Sequence, residues 1–357
     1  MDKVIRRESN FELLRIICML FVVWGHFINK YTGGEFIVDF AFIETRFIKS
    51  FTIVAVNVFV LISGYFSISF KLLKILKIGE LVLFYSVVQF ILAVVLGWHE
   101  ITPTKDIAYL VPILSRQYWF ITVYIMLCLL SPILNKLSIS ISKNDFKVIL
   151  VIGFFLIYVW QTISYIFNFS GLYFDAGYGI VNFVYLYLLG RYMKIHYSLI
   201  DWKWRFLIGY IVVCVLLFIF QLSLSLILGF SFTSLFSYNT VFVFLGGVLL
   251  FLFFVKVKLG YNRHINVLAK NCFAVYIIHQ HPLCWNKICE LLQIQEISPL
   301  WFLPYSFIMS VFLYFALAAI EKIRLFFFDK LENRLNERIM SIKRVKNIEN
   351  MIKLVRE

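Results

Sequence analysis

Three ionisable residues stand inside one apolar run near the start of the chain: Glu12, Arg15 and His26 in NFELLRIICMLFVVWGHF. A charge at the centre of a bilayer costs about 2.5–3.5 kcal/mol on insertion scales, so each is a candidate for function. At about 100° per residue, the eleven positions from Arg15 to His26 make three turns plus roughly 20°, and Glu12 falls within about 40° of the same line. A polar stripe therefore runs up one side of an apolar helix, with His26 about 16 Å beyond Arg15. Such a stripe must face protein or a water-filled cavity. Arg15 is a permanent cation suited to phosphate, and His26 can accept a proton at neutral pH. That equipment suits a reaction on a phosphate-bearing donor. Spacing alone also admits an arginine that snorkels to headgroups and pairs with Glu12 at i,i+3, and a His26 at the membrane interface beside Trp24 and Asn29.

Further candidates among the polar positions inside apolar segments are Asn57, Ser63, His279 and His281. Asn57 and Ser63 suit either orientation of a substrate or hydrogen bonding between packed helices. His279 and His281 precede Pro282, which removes an N–H and should kink the helix there, freeing a carbonyl. Each histidine is a candidate second catalytic group or a bond to a neighbouring helix. Trp119 and Tyr124 are able to stack on a sugar ring, and are also residues that membrane interfaces collect. His99, His196 and His264 fall in connections and are expected to be solvated. The cysteines (Cys18, Cys128, Cys214, Cys272, Cys284 and Cys289) lack metal-ligand spacing, so neither a metal site nor a disulfide framework is expected.

The elements that hold these residues follow from composition. The 357-residue chain is 62% hydrophobic and 15% charged, against about 45–50% and about 25% in soluble domains. Lipid must solvate most of it, and long unbroken apolar blocks point to helices rather than barrel strands. The fold class is an all-α, polytopic bundle with ten predicted spans near 11–28, 50–69, 78–97, 117–135, 146–166, 179–193, 206–228, 240–256, 271–291 and 301–323. An even count puts both termini on one side. Alternate connections leave Lys30, Arg46, Lys49, Lys105, Arg116 and Lys287 on one face and the other 28 of the 34 Lys and Arg on the opposite face. Setting aside ten in the C-terminal segment leaves 18 against six, which predicts cytoplasmic termini in a cell membrane. The basic start MDKVIRRESN has no cleavage site after it, so the first span is expected to be retained. The net charge of +14 suits anionic lipid headgroups and gives no reason to expect nucleic acid. One membrane domain over 1–325 is expected, followed by a basic amphipathic tail over 326–357 with apolar positions Leu331, Leu335, Ile339, Ile342, Ile348, Ile352 and Val355.

Four segments, in order, resemble the membrane acyltransferase-3 family. The first span carries the acidic-x-x-Arg and the later histidine as Glu12, Arg15 and His26. VNVFVLISGYFSISF looks like the family's apolar run ending in Ser63, Gly64 and Tyr65. QYWFITVYIMLCLLSPIL is similar to its Trp-Phe segment through Trp119, Phe120, Tyr124 and Pro132, and AVYIIHQHPL resembles its aliphatic-His-x-Pro element through His279 and Pro282. The similarity covers roughly residues 6–325. One departure is Leu13, which stands where the family's motif usually has glycine.

The resemblance implies transfer of an acyl group, commonly acetyl from a cytoplasmic coenzyme A thioester, to a hydroxyl of a cell-surface carbohydrate, with no permanently bound cofactor. Arg15, with Lys71 and Lys74, is then expected to hold the donor's phosphates, with Glu12 bracing Arg15. His26 would serve as general base or transient acyl carrier, and Asn57, Ser63, Trp119, Tyr124 and His279 would contact the acceptor or the thioester. A transporter or flippase for lipid-linked sugars would spread polar residues over several spans, and a polysaccharide polymerase would show large outer loops. Concentration of polar groups on the first span favours the enzyme.

Overall fold

The computed structural model describes residues 8–31, 38–172, 175–197 and 202–354, the last few of these by backbone alone. All regular structure among them is helical. The site is framed by α1 (Ser9–Tyr31), α2 (Phe40–Thr52), α3 (Ala55–Phe66), α4 (Leu72–Val95), α5 (Pro103–Leu110) and α6 (Trp119–Ser140). Behind these come α7 (Lys143–Phe154), α8 (Trp160–Phe167), α9 (Ile180–His196), α10 (Lys203–Leu228) and α11 (Val241–Lys256). The chain closes with α12 (Arg263–Ala269), α13 (Cys272–His279), α14 (Pro282–Leu291), α15 (Pro299–Ser341) and α16 (Lys343–Leu354). A five-residue π-helical stretch, Phe155–Val159, joins α7 to α8.

Among the described residues, eight helical stretches are long and apolar enough to cross a membrane: α1, α2 with α3, α4, α6, α7 with α8, α10, the stretch ending in α11, and α15. The other two predicted windows fold as α9, of 17 residues, and as the pair α13 and α14. That pair is parted at Gln280 and His281, because Pro282 at the start of α14 has no N–H to donate to the preceding turn.

Two boundaries differ from the sequence reading. The second span was expected from residue 50, with Glu44, Arg46 and Lys49 in a connection. The helix instead begins at Phe40, where the Asp39 side chain caps it by accepting from the Phe42 N–H at 2.7 Å, and it buries Glu44 and Arg46. The last span does not end near 323 but runs to Ser341 without a break. Glu321 and Arg324 form a buried bidentate pair, Tyr85 donates to Glu321 at 2.8 Å, and Glu332 joins Arg324, so charges at the expected helix end are neutralised against α4. Further on, Leu331, Leu335 and Ile342 are exposed. Val355 and the side chains of Ile348 and Ile352 lie outside the described residues.

Packing fixes α1 and α3 at the centre. α1 lies against α2, α3, α11, α12, α13 and α15, so its polar stripe is enclosed by protein. α3 meets α9 backbone to backbone: a Cβ on Gly64 would collide with the Tyr187 carbonyl, and one on Gly190 would stand 2.5 Å from the Leu61 oxygen. Small residues permit this approach in a medium where close contact, not water exclusion, holds helices together. The neighbouring Ser63 is thereby set on a cavity wall. All six cysteines are buried free thiols. His99, expected to be solvated, is instead half-buried and bonded to Asp106 at 2.9 Å.

Candidate active site

A cavity of about 440 Å³ opens between α1, α3, α4, α6 and α13. Its wall carries Glu12, Arg15 and His26 from the α1 stripe, Ser63 from α3, Lys74 from α4, and Trp119 and Tyr124 from α6. An adjoining cavity of about 260 Å³ shares Arg15, Ser63, Lys74 and Tyr124 and adds Lys71. The stripe that the helical period placed on one face thus lines a single space. Arg15 pairs with Glu12, which is 4% exposed.

The two ends of this space differ in chemistry. One end gathers the cations Arg15, Lys74 and Lys270, with Lys71 in the adjoining cavity. The middle is apolar, lined by Met19, Val22, Val56, Phe59 and Phe273, and the far end is His26. Lys270 escaped the sequence reading: it follows α12 in a connection, where it reads as one more basic residue at a membrane surface.

His26 is bonded into the break of the ninth window. His279, 1% exposed, has its Nδ1 2.7 Å from the Val275 carbonyl oxygen. A carbonyl only accepts, so that nitrogen bears the proton, and in a neutral ring Nε2 is then bare. This bare nitrogen lies 3.0 Å from His26 Nδ1, and of the two neutral His26 tautomers the one with its proton on Nδ1 donates to it and leaves Nε2 without a proton. The Gln280 amide nitrogen stands 2.8 Å from His26 Nδ1 and 2.9 Å from Nε2, across the edge of the ring. A half-turn of the amide exchanges N–H for C=O, so Gln280 can pair with Nε2 whether or not it is protonated. Gln280 was missed because a neutral amide between two histidines carries no charge or motif of its own.

The remaining expected residues are placed as follows. His279 stands behind His26 rather than on the cavity wall. Asn57 is fully buried away from the cavity: it donates to the Tyr238 carbonyl at 2.8 Å and faces the Asn182 amide at 3.4 Å. Ser63 lies on both cavities, its hydroxyl donating to the Phe59 carbonyl at 2.9 Å. Trp119 meets Tyr178 edge to face at 4.5 Å between centroids. His281 is buried and stacks on Tyr109 at 5.2 Å.

Helices long and apolar enough to cross a membrane thus surround a cavity that carries both cations and an imidazole. The family model described as an acyltransferase domain, that of the acyltransferase-3 family, matches residues 8–286. The chain belongs to that family and is an acyltransferase. No curated protein and no solved structure matches it.

Proposed function

We propose that the protein transfers an acyl group, acetyl in the first instance, from a coenzyme A thioester to a hydroxyl of a cell-surface polysaccharide or its lipid-linked precursor. The observation that carries this reading is one cavity with a cationic end at Arg15, Lys74 and Lys270 and the His26 imidazole at the other. Phosphates of a nucleotide-bearing donor match the cations, and its long linear arm matches the apolar middle. In this reading both termini are cytoplasmic, so donor enters from inside, and Trp119 and Tyr124 line the path of the acceptor.

The chemistry asks little of the chain. The acceptor hydroxyl gives its proton to His26 Nε2 as its oxygen attacks the thioester carbonyl. Collapse of the tetrahedral intermediate breaks the carbon–sulfur bond, and the departing thiolate takes the proton back. Transfer through an acyl-imidazole at the same nitrogen uses the same contacts. The hydrogen bond to His279 favours the tautomer in which Nε2 carries no proton, and Gln280 has to turn aside from Nε2 as the acceptor hydroxyl arrives.

The test replaces His26 by Ala in the full-length protein, verifies membrane insertion and stability, and measures radiolabelled acetyl transfer from acetyl coenzyme A to surface glycan in isolated membranes. Loss of transfer with unchanged protein level is expected. Undiminished transfer by the stable variant removes His26 from the reaction.

A further inference from the structure

Outside the donor end, the most unusual charges in the molecule are on α2. Arg46 is 7% exposed, its Nη2 donates to Ser231 Oγ at 2.6 Å, and its Nε makes no hydrogen bond. One turn on, Lys49 donates to Asn29 Oδ1 at 3.0 Å and lies 5.3 Å from the Phe236 ring centre. Among the described residues, no carboxylate lies within 4.0 Å of either cation. The nearest acid in sequence, Glu44, projects about 160° away from Arg46 around the helix.

This arrangement is costly as pure structure. Like charges at i,i+3 repel, and a buried cation without an anion loses hydration that an amide or hydroxyl only partly replaces. A small cavity of about 60 Å³ explains where a counter-charge could sit. It is lined by Asn29, Lys49 and Thr52 and shares Val22, His26, Val56 and Tyr238 with the main cavity. His26 is therefore a wall common to two spaces, one leading to Arg15 and one to Lys49.

We propose that Lys49, with Arg46 behind it, binds an oxyanion carried by the acceptor, a sugar carboxylate or a glycosyl phosphate, and so presents the neighbouring hydroxyl to His26. This rests on the reading of His26 as the base and adds the chemical class of the substrate. The two cation groups divide the work: those beside Arg15 take the donor, and the pair on α2 takes the acceptor. A volume of about 60 Å³ holds an oxyanion group but not a sugar ring, so the ring would remain in the larger space beside Trp119.

The test measures the thermal stability of the full-length purified protein with sodium glucuronate, glucose 1-phosphate or glucose at matched ionic strength, and separately with coenzyme A. One or both charged sugars should raise the melting temperature while glucose does not, and which one acts tells carboxylate from phosphate. The shift should vanish in Lys49→Gln, return in Lys49→Arg and persist in Arg15→Gln. Equal shifts with glucose, no shift with either charged sugar, or a shift that survives Lys49→Gln overturns the proposal. A sugar shift that needs Lys49, together with no response to coenzyme A, would leave this site standing and reject the donor reading.

Discussion

His26 Nδ1 and His279 Nε2 stand 3.0 Å apart, and the second nitrogen of His279 is fixed by the Val275 carbonyl at 2.7 Å. Because the carbonyl dictates where the His279 proton must be, a backbone oxygen favours the His26 tautomer whose Nδ1 donates to His279. That oxygen sits on the last turn of α13 before the break at Gln280, so the placement of the His26 ring depends on how α13 ends.

The first prediction follows from this chain of protons. His279→Ala removes the acceptor for His26 Nδ1–H, and a lost hydrogen bond of about 1–3 kcal/mol corresponds to a roughly five- to hundred-fold fall in kcat. His279 positions His26 and does not touch the donor, so KM for acyl coenzyme A should stay unchanged, and His279→Gln, which restores an accepting oxygen, should recover part of the rate. A rise in donor KM at constant kcat would show that His279 acts on binding instead.

Arg15 should behave oppositely. Losing one charge-assisted contact to phosphate costs about 1.5–3 kcal/mol, so Arg15→Gln should weaken coenzyme A binding about ten- to hundred-fold by calorimetry. Lys74→Gln should act in the same direction, because both residues line both cavities at the cationic end. Wild-type affinity in both variants would separate this end of the cavity from the donor.

The α3–α9 contact predicts a stability effect. Gly64→Ala and Gly190→Ala each drive a methyl into opposing backbone, which cannot swing away as a side chain can. Overpacking of this kind costs roughly 1–3 kcal/mol. Gly209→Ala, whose new Cβ would meet only the flexible end of Leu249 at 3.4 Å, should be tolerated. Melting of the purified proteins in detergent checks this, and equal melting temperatures for all three would deny the close approach.

How much of this was legible in the sequence depended on whether one residue carried its own signal. The α1 stripe was legible because helical period alone aligns Glu12, Arg15 and His26, and α1 does line a cavity with all three. The break before α14 was legible because proline lacks a donor whatever surrounds it. α2 was not: Glu44, Arg46 and Lys49 lower the hydropathy of a segment whose charges are answered in large part by residues far along the chain, such as Ser231 and Phe236. Gln280 and Lys270 acquire meaning only where α13 crosses α1, a tertiary fact that spacing along one chain does not carry.

The connection over 98–116 supplies a prediction about pH. Burial pushes the Asp106 carboxyl up, but the Thr102 N–H at 2.7 Å and His99 at 2.9 Å outweigh it and hold the group below its ordinary value of 3.8. A depressed folded value means that the carboxylate's contribution is complete above the unfolded value and is lost as pH falls through the folded one. Tyr109 on α5 stacks between Phe90 and His281, so release of Asp106 should loosen the segment that covers His281. Limited proteolysis of this connection should accelerate only below about pH 4 in the wild type as far as Asp106 governs it. In Asp106→Asn, which keeps the shape but not the charge, cleavage should already be faster at neutral pH. Equal cleavage of the two proteins at pH 7 would show that the charge does not hold the connection in place.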